Sequence, residues 1–186
     1  MPPSQTTGDL LEILIVDDEA ETRELLSEFC LGQGLGVASA HDGRAAIGAI
    51  RRAPAQFSVV ITDLHLPGAD GFEVLKAARE ANPSCYVVII TGYATIDSAV
   101  RAVREGAYDY LAKPFALGQL EVVLKRIRDR MALERENREL TKQVGSGRDT
   151  GLPGKELGWR LEAIEERLAR IEALLRQGDA SKVKSR

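Results

Sequence analysis

Cysteine is nearly absent from this chain of 186 residues: only Cys30 and Cys85 occur, far apart and without a CxxC pair. That argues against a disulfide framework or a zinc site and for reduced thiols that fill a core. Long apolar runs are absent as well, and none approaches the roughly 18 residues of a membrane span. The opening stretch Met1–Gly8 is polar, without the basic start and apolar segment of an export signal, so a cytoplasmic location is expected. Aromatics make up 5%, and all but Trp159 fall before residue 119. No GxxxxGK[ST] phosphate loop follows residue 118; GLPGK at Gly151–Lys155 has neither the spacing nor the hydroxyl residue. No helix-turn-helix pattern with an apolar core is found there either. The two histidines, His41 and His65, read as surface residues rather than side-chain ligands or phosphate carriers.

What is present is a globular composition, 44% hydrophobic and 28% charged, with an uneven charge distribution. Met1–Gly118 carries 9 Lys and Arg against 16 Asp and Glu, whereas Gln119–Arg186 carries 16 against 12. An acidic front and a mildly basic back predict two parts with different tasks.

The front alternates short apolar runs with amphipathic stretches. Glu12–Val16, Val37–Ala40, Ser58–Thr62, Tyr86–Thr91 and Tyr108–Ala112 read as strands, the second of them weak. Helices are predicted over Ala20–Leu31, from the N-cap Asp42 through Ala53, over Gly71–Ala81, over Thr95–Glu105, and from Ala116 onward. Strands that are apolar throughout imply a parallel sheet covered on both faces, a doubly wound five-stranded layout of flavodoxin-like type. In such a sheet the site lies at the carboxyl ends of the strands. The polar residues at those ends, Asp17, Asp18, Asp63, Thr91 and Lys113, are therefore predicted to converge.

Three carboxylates drawn together repel one another unless a cation relieves them. A hard divalent ion such as Mg²⁺ suits one or two carboxylates, a backbone carbonyl and waters. With a lysine and a threonine hydroxyl beside it, the set has the parts to hold a phosphoryl group while Asp63 attacks phosphorus, giving an aspartyl phosphate.

Over Leu11 to about Arg130, the motifs ILIVDDEA, VVITDLHLPGADGFEVL and VVIITGYATIDSAVRAVREGAYDYLAKPF resemble the response-regulator receiver domains of two-component signalling, with a nitrogen-regulator-like flavour. The resemblance implies that Asp63 is the phosphoacceptor, charged by a sensor histidine kinase or phosphotransfer protein with Mg²⁺. It implies further that Asp18 binds the metal directly, that Asp17 acts through water, and that the His65 backbone carbonyl is a third protein ligand. Thr91 matches the switch hydroxyl, Tyr110 the rotating aromatic and Lys113 the phosphate-binding lysine, with a cis peptide before Pro114. A phosphoacceptor switch rather than an enzyme is implied, in which Thr91 moves inward and Tyr110 takes up the space. A dehalogenase-like phosphatase also uses an aspartyl nucleophile on such a sheet. It requires D-x-D after the first strand, where this chain has Asp17-Asp18-Glu19.

The back half divides further. A receiver over residues 11–130 is expected to continue into a signalling helix over 131–144, then a linker over 145–155 in which Gly145–Gly154 holds four glycines and a proline. Leu157, Leu161, Ile164, Leu168, Ile171 and Leu175 step by 4, 3, 4, 3 and 4, an a/d seam that predicts a coiled coil over 156–177. The tail, 178–186, reads as disordered. The apolar positions of the signalling helix fall in two registers, Leu120, Leu124, Ile127 and Met131, then Leu133, Leu140 and Val144, with Asn137 in the second. A homodimer or another coiled-coil partner is expected. The rival output is DNA binding through Lys125, Arg126, Arg128 and Arg130, but Asp129, Glu134, Glu136 and Glu139 interrupt that face.

Overall fold

The computed structural model describes residues 11–144. Strands β1 (Glu12–Val16), β2 (Gly36–Ala40), β3 (Val59–Asp63), β4 (Tyr86–Thr91) and β5 (Asp109–Ala112) alternate with helices α1 (Ala20–Gly32), α2 (Gly43–Arg52), α3 (Gly71–Ala81), α4 (Ile96–Arg104) and α5 (Leu117–Val144). The strands form one parallel sheet in the order β2-β1-β3-β4-β5. A strand that is apolar throughout has no face to offer water. Accordingly β3 and β4 are buried at every residue, and β1 at every residue after Glu12. β2 lies at an edge and is mostly half-exposed, which is why its Gly-Val-Ala-Ser-Ala sequence gives the faintest strand signal.

The order places β1 and β3 side by side although β2 falls between them in the chain, so the crossovers diverge at the carboxyl ends of β1 and β3. One boundary there differs from the sequence reading. Asp63 is not the first residue past the strand; it is the last rung of β3, paired with Ile90 of β4. Its neighbours in the ladder carry the strand one residue further than its apolar run extends.

Local polar groups fix the helix starts. Asp42 accepts from the Ala45 amide at 2.6 Å, so the expected N-cap of α2 is present. Asp70 and Glu73 form a reciprocal box at the start of α3, with bonds of 2.8 and 2.9 Å. Thr95 and Ser98 form a second box at the start of α4. Gly68 turns the chain between β3 and α3 at φ +83°, a conformation that costs a residue with a Cβ. Gly71 opens α3 so close to β3 that a Cβ there would lie 2.2 Å from the Asp63 carbonyl oxygen.

Both cysteines are buried, and burial pushes the Cys30 thiol up to about 11 and the Cys85 thiol up to about 12. They fill the core and are weak nucleophiles at neutral pH. The chain divides into two compact units between Pro114 and Phe115. In the second, α5 runs unbroken across Arg130, where the sequence reading drew a boundary. Leu120, Val123, Leu124 and Ile127 on α5 are buried and Met131 is half-buried, whereas Leu133 is 66% exposed. Arg130 is paired with Glu134 at 3.1 Å. No helix among the described residues is long and apolar enough to cross a membrane. The predicted linker, coiled-coil seam and tail lie outside the described residues.

Candidate phosphoacceptor and metal site

Asp17, Asp18 and Asp63 converge as the strand-end rule requires. Carboxylate oxygens of the three lie within 4.8 Å of one another. They are not equivalent. Asp17 and Asp63 are buried, and Asp18 is exposed at the mouth. Asp17 accepts from the Glu19 amide at 3.0 Å through one oxygen and from Lys113 Nζ at 2.7 Å through the other. Asp63 accepts from the His65 amide at 3.0 Å through Oδ1 and from Lys113 Nζ at 3.0 Å through Oδ2. Lys113, delivered by the residue just past β5, thus bridges the two buried carboxylates. The peptide bond that follows it, Lys113–Pro114, is cis.

Charge around the lysine is lopsided. Glu19 approaches Nζ to 3.9 Å as its third carboxylate partner, so one ammonium faces three acids. Burial raises the Asp17 pKa, and the Lys113 and Glu19 hydrogen bonds oppose it without cancelling it. Burial alone would lower the Lys113 pKa, but hydrogen bonds to Asp17 and Asp63 outweigh it, and the ammonium is held above its ordinary value. An oxygen-only cluster with excess negative charge and one exposed carboxylate fits a hard divalent cation such as Mg²⁺. Histidine and cysteine contribute no side-chain atom to the cluster, which argues against a softer metal.

Thr91 and Tyr110 border the site from β4 and β5. Thr91 is fully buried; its hydroxyl accepts from the Tyr93 amide at 3.3 Å and lies 3.5 Å from His65 Nδ1. His65 is exposed, as expected, yet its ring stacks edge-on against Tyr93 with centroids 4.9 Å apart. Tyr110 is buried, with its hydroxyl 2.8 Å from Ser98 Oγ. Burial raises its pKa, against the pull of the Ser98 hydrogen bond.

Three contacts escaped the sequence. Arg23 donates to the carbonyls of Asp17 and Asp18 at 2.8 and 3.1 Å, bracing the loop after β1 from α1. Its partners are backbone oxygens, which carry no residue-type signal. Glu19 stands beside the Asp pair in sequence, but its approach to Lys113 depends on how the loop turns. Ser98 lies three residues after Thr95, a visible cap spacing, but nothing in that spacing points to Tyr110.

An acidic cluster with a bridging lysine, set where the crossovers of a five-stranded parallel sheet diverge, defines the class: a doubly wound α/β domain with a carboxylate cluster at its strand ends that could hold a cation. The chain belongs to the response regulator receiver domain family, which its residues 13–125 match. It is 36% identical over 137 residues to an NtrX-like response regulator of Rickettsia bellii, an overlap covering 73% of this chain and 28% of that one. Among solved structures, NtrX from Brucella abortus in complex with ADP superposes with a TM-score of 0.64 at 33% identity, over 76% of this chain and 31% of that chain. A receiver domain protein from Clostridium thermocellum superposes with a TM-score of 0.63 at 28% identity, over 67% of this chain and 98% of that one. The chain thus spans under a third of the NtrX-like relative it matches.

Proposed function

We propose that this chain is a phosphoaccepting switch of a two-component phosphorelay in the bacterial cytoplasm, with Asp63 as the phosphoacceptor and a sensor histidine kinase or phosphotransfer protein as donor. The observation that carries this reading is the Lys113 bridge between Asp17 and Asp63, with Asp18 alongside. The Asp63 carboxylate attacks phosphorus, a new O–P bond forms, the donor's N–P bond breaks, and the imidazole leaves with the electron pair. Asp18, Asp63 and the His65 carbonyl, with Asp17 acting through water, would hold Mg²⁺, which would supply charge neutralisation at the phosphoryl oxygens. Lys113 supplies a second positive charge at the same oxygens, and the Thr91 hydroxyl a donor. The only chemistry assigned to the chain is its own phosphorylation and dephosphorylation.

Incubation with labelled acetyl phosphate and Mg²⁺ is expected to place about one phosphoryl group per chain. EDTA is expected to abolish the labelling. Equal labelling in EDTA, or none with Mg²⁺, would sink the reading.

For output, α5 and the seam from Leu157 to Leu175 form a dimer or partner helix that responds to the switch. Light scattering is expected to give a dimer mass for the full chain and a monomer mass for a truncation at Gly145, with the balance altered by beryllofluoride. A monomeric full chain under both conditions rejects a homodimer.

A further inference from the structure

The two capping boxes of this fold are built differently, and the difference leads back to the site. In α3, Asp70 pairs with Glu73, the residue type that a capping box ordinarily uses at its third position. Both groups are exposed, and the box is complete in itself. In α4 the third position is Ser98, whose side chain is far shorter. Its Oγ still accepts from the Thr95 amide at 3.1 Å, donates to the Thr95 carbonyl at 3.0 Å and lies 2.9 Å from Thr95 Oγ1. It also lies 2.8 Å from the hydroxyl of Tyr110, twelve residues away on β5. A serine hydroxyl has one proton and two lone pairs, so four partners around one oxygen compete for three bonding positions. The helix cap and the buried phenol meet at this oxygen, and the Thr95 backbone lies within reach of the phenol as well.

From this shared atom we infer that Ser98 is a positioning residue coupling Tyr110 to α4, so that the first turn of α4 is held partly by the seat of the Tyr110 ring. The phenol hydroxyl is the only group outside the box that the described contacts bring to Ser98 Oγ. Removing that hydroxyl, or swinging the ring away, takes one bond from the oxygen on which the cap turns. The box of α3 has no such tie and stands as an internal control. The same geometry gives the switch a route: a ring displaced by events at Asp63 and Thr91 acts on α4 through its contact with Ser98. This last step rests on the phosphoacceptor reading; the coupling of Tyr110 to α4 does not.

Amide hydrogen exchange on the full chain, read by NMR, tests the inference. Ser98 and Ala99 report on the box of α4, their amides being bound to Thr95 Oγ1 and the Thr95 carbonyl at 3.1 and 3.0 Å. Glu73 and Val74 are the equivalent amides of α3, bound to Asp70 at 2.8 and 3.1 Å. Tyr110→Phe keeps the ring and leaves every atom of the box in place. It is expected to speed exchange at Ser98 and Ala99 about fivefold, the equivalent of about 1 kcal/mol for one net hydrogen bond, with no change at Glu73 and Val74. Ser98→Ala is expected to speed the same pair, and the double variant to fall short of the sum of the two single effects. Wild-type rates at Ser98 and Ala99 in Tyr110→Phe overturn the coupling. So do additive effects in the double variant, or equal acceleration in α3. A second arm adds Mg²⁺ and beryllofluoride. A change of exchange in α4 that Tyr110→Phe removes supports the route from the site. If the first arm holds and this one is silent, the coupling stands and the route from the site is rejected.

Discussion

Asp63→Asn is expected to lower labelling by acetyl phosphate more than about a thousandfold, to the background of the reagent, in line with the loss of a catalytic nucleophile elsewhere. An amide is nearly the same size as a carboxylate, so the core around residue 63 keeps its packing, and the His65 amide keeps an oxygen to bind. What disappears is the negative oxygen that attacks phosphorus and one of the two carboxylates bridged by Lys113. Asp17→Asn is the matched control, because it removes the other arm of the bridge and leaves the nucleophile. It is expected to slow labelling through a weaker hold on Mg²⁺ and to retain a rate that rises with Mg²⁺ concentration. Liquid scintillation counting of acid-precipitated protein separates the two. Residual labelling of Asp63→Asn at the wild-type rate would move the acceptor elsewhere.

The second large effect is structural. Gly71→Ala is expected to cost about 2–3 kcal/mol, the range for overpacking a rigid contact. That corresponds to a fall in Tm of roughly 8–12 °C for a domain of this size, by calorimetry. A Cβ at that position would meet the Asp63 carbonyl at 2.2 Å and Leu64 Cα at 2.8 Å. Both obstacles are backbone, and neither has a rotamer to yield. Gly71 also donates its amide to the Leu64 carbonyl at 3.0 Å, so α3 cannot withdraw without losing that bond. Because the atom in the way belongs to Asp63, the labelling rate is expected to fall along with stability. Gly118→Ala, where nothing lies within 4 Å of the added carbon, serves as the benign comparison. A wild-type melting temperature for Gly71→Ala would mean that α3 shifts freely.

The strand ends were readable before the fold because a parallel sheet obeys a simple rule. Buried strands are apolar, so the first polar residues after them are conspicuous, and the topology brings them together. Asp17, Asp63, Thr91 and Lys113 were legible for that reason. The differences among them were not. Asp17 and Asp18 are identical letters, yet one is buried in a lysine bridge and the other exposed, because the chain turns out of the sheet between them. Arg23 was silent because it holds carbonyl oxygens that every residue possesses. Tyr110 was singled out by the resemblance to receiver domains alone. Its contact with Ser98 depends on the distance between β5 and α4, which no spacing along the chain encodes. In α5 the two apolar registers were visible; Leu120, Leu124 and Ile127 of the first are buried, and Leu133 of the second is exposed.

The pairing of Asp63 with Ile90 in the sheet ladder bears on where motion can occur. The residue assigned to react is clamped from three directions: by its strand partner, by the Gly71 contact behind its carbonyl, and by the Lys113 ammonium on its side chain. Its backbone is therefore held by pairing and close packing. A change in its charge is expected to be felt in the less packed segment from Thr91 to Ile96, where Tyr93 and Ile96 stand 74% and 61% exposed. The arrangement is that of a held centre with a less packed rim.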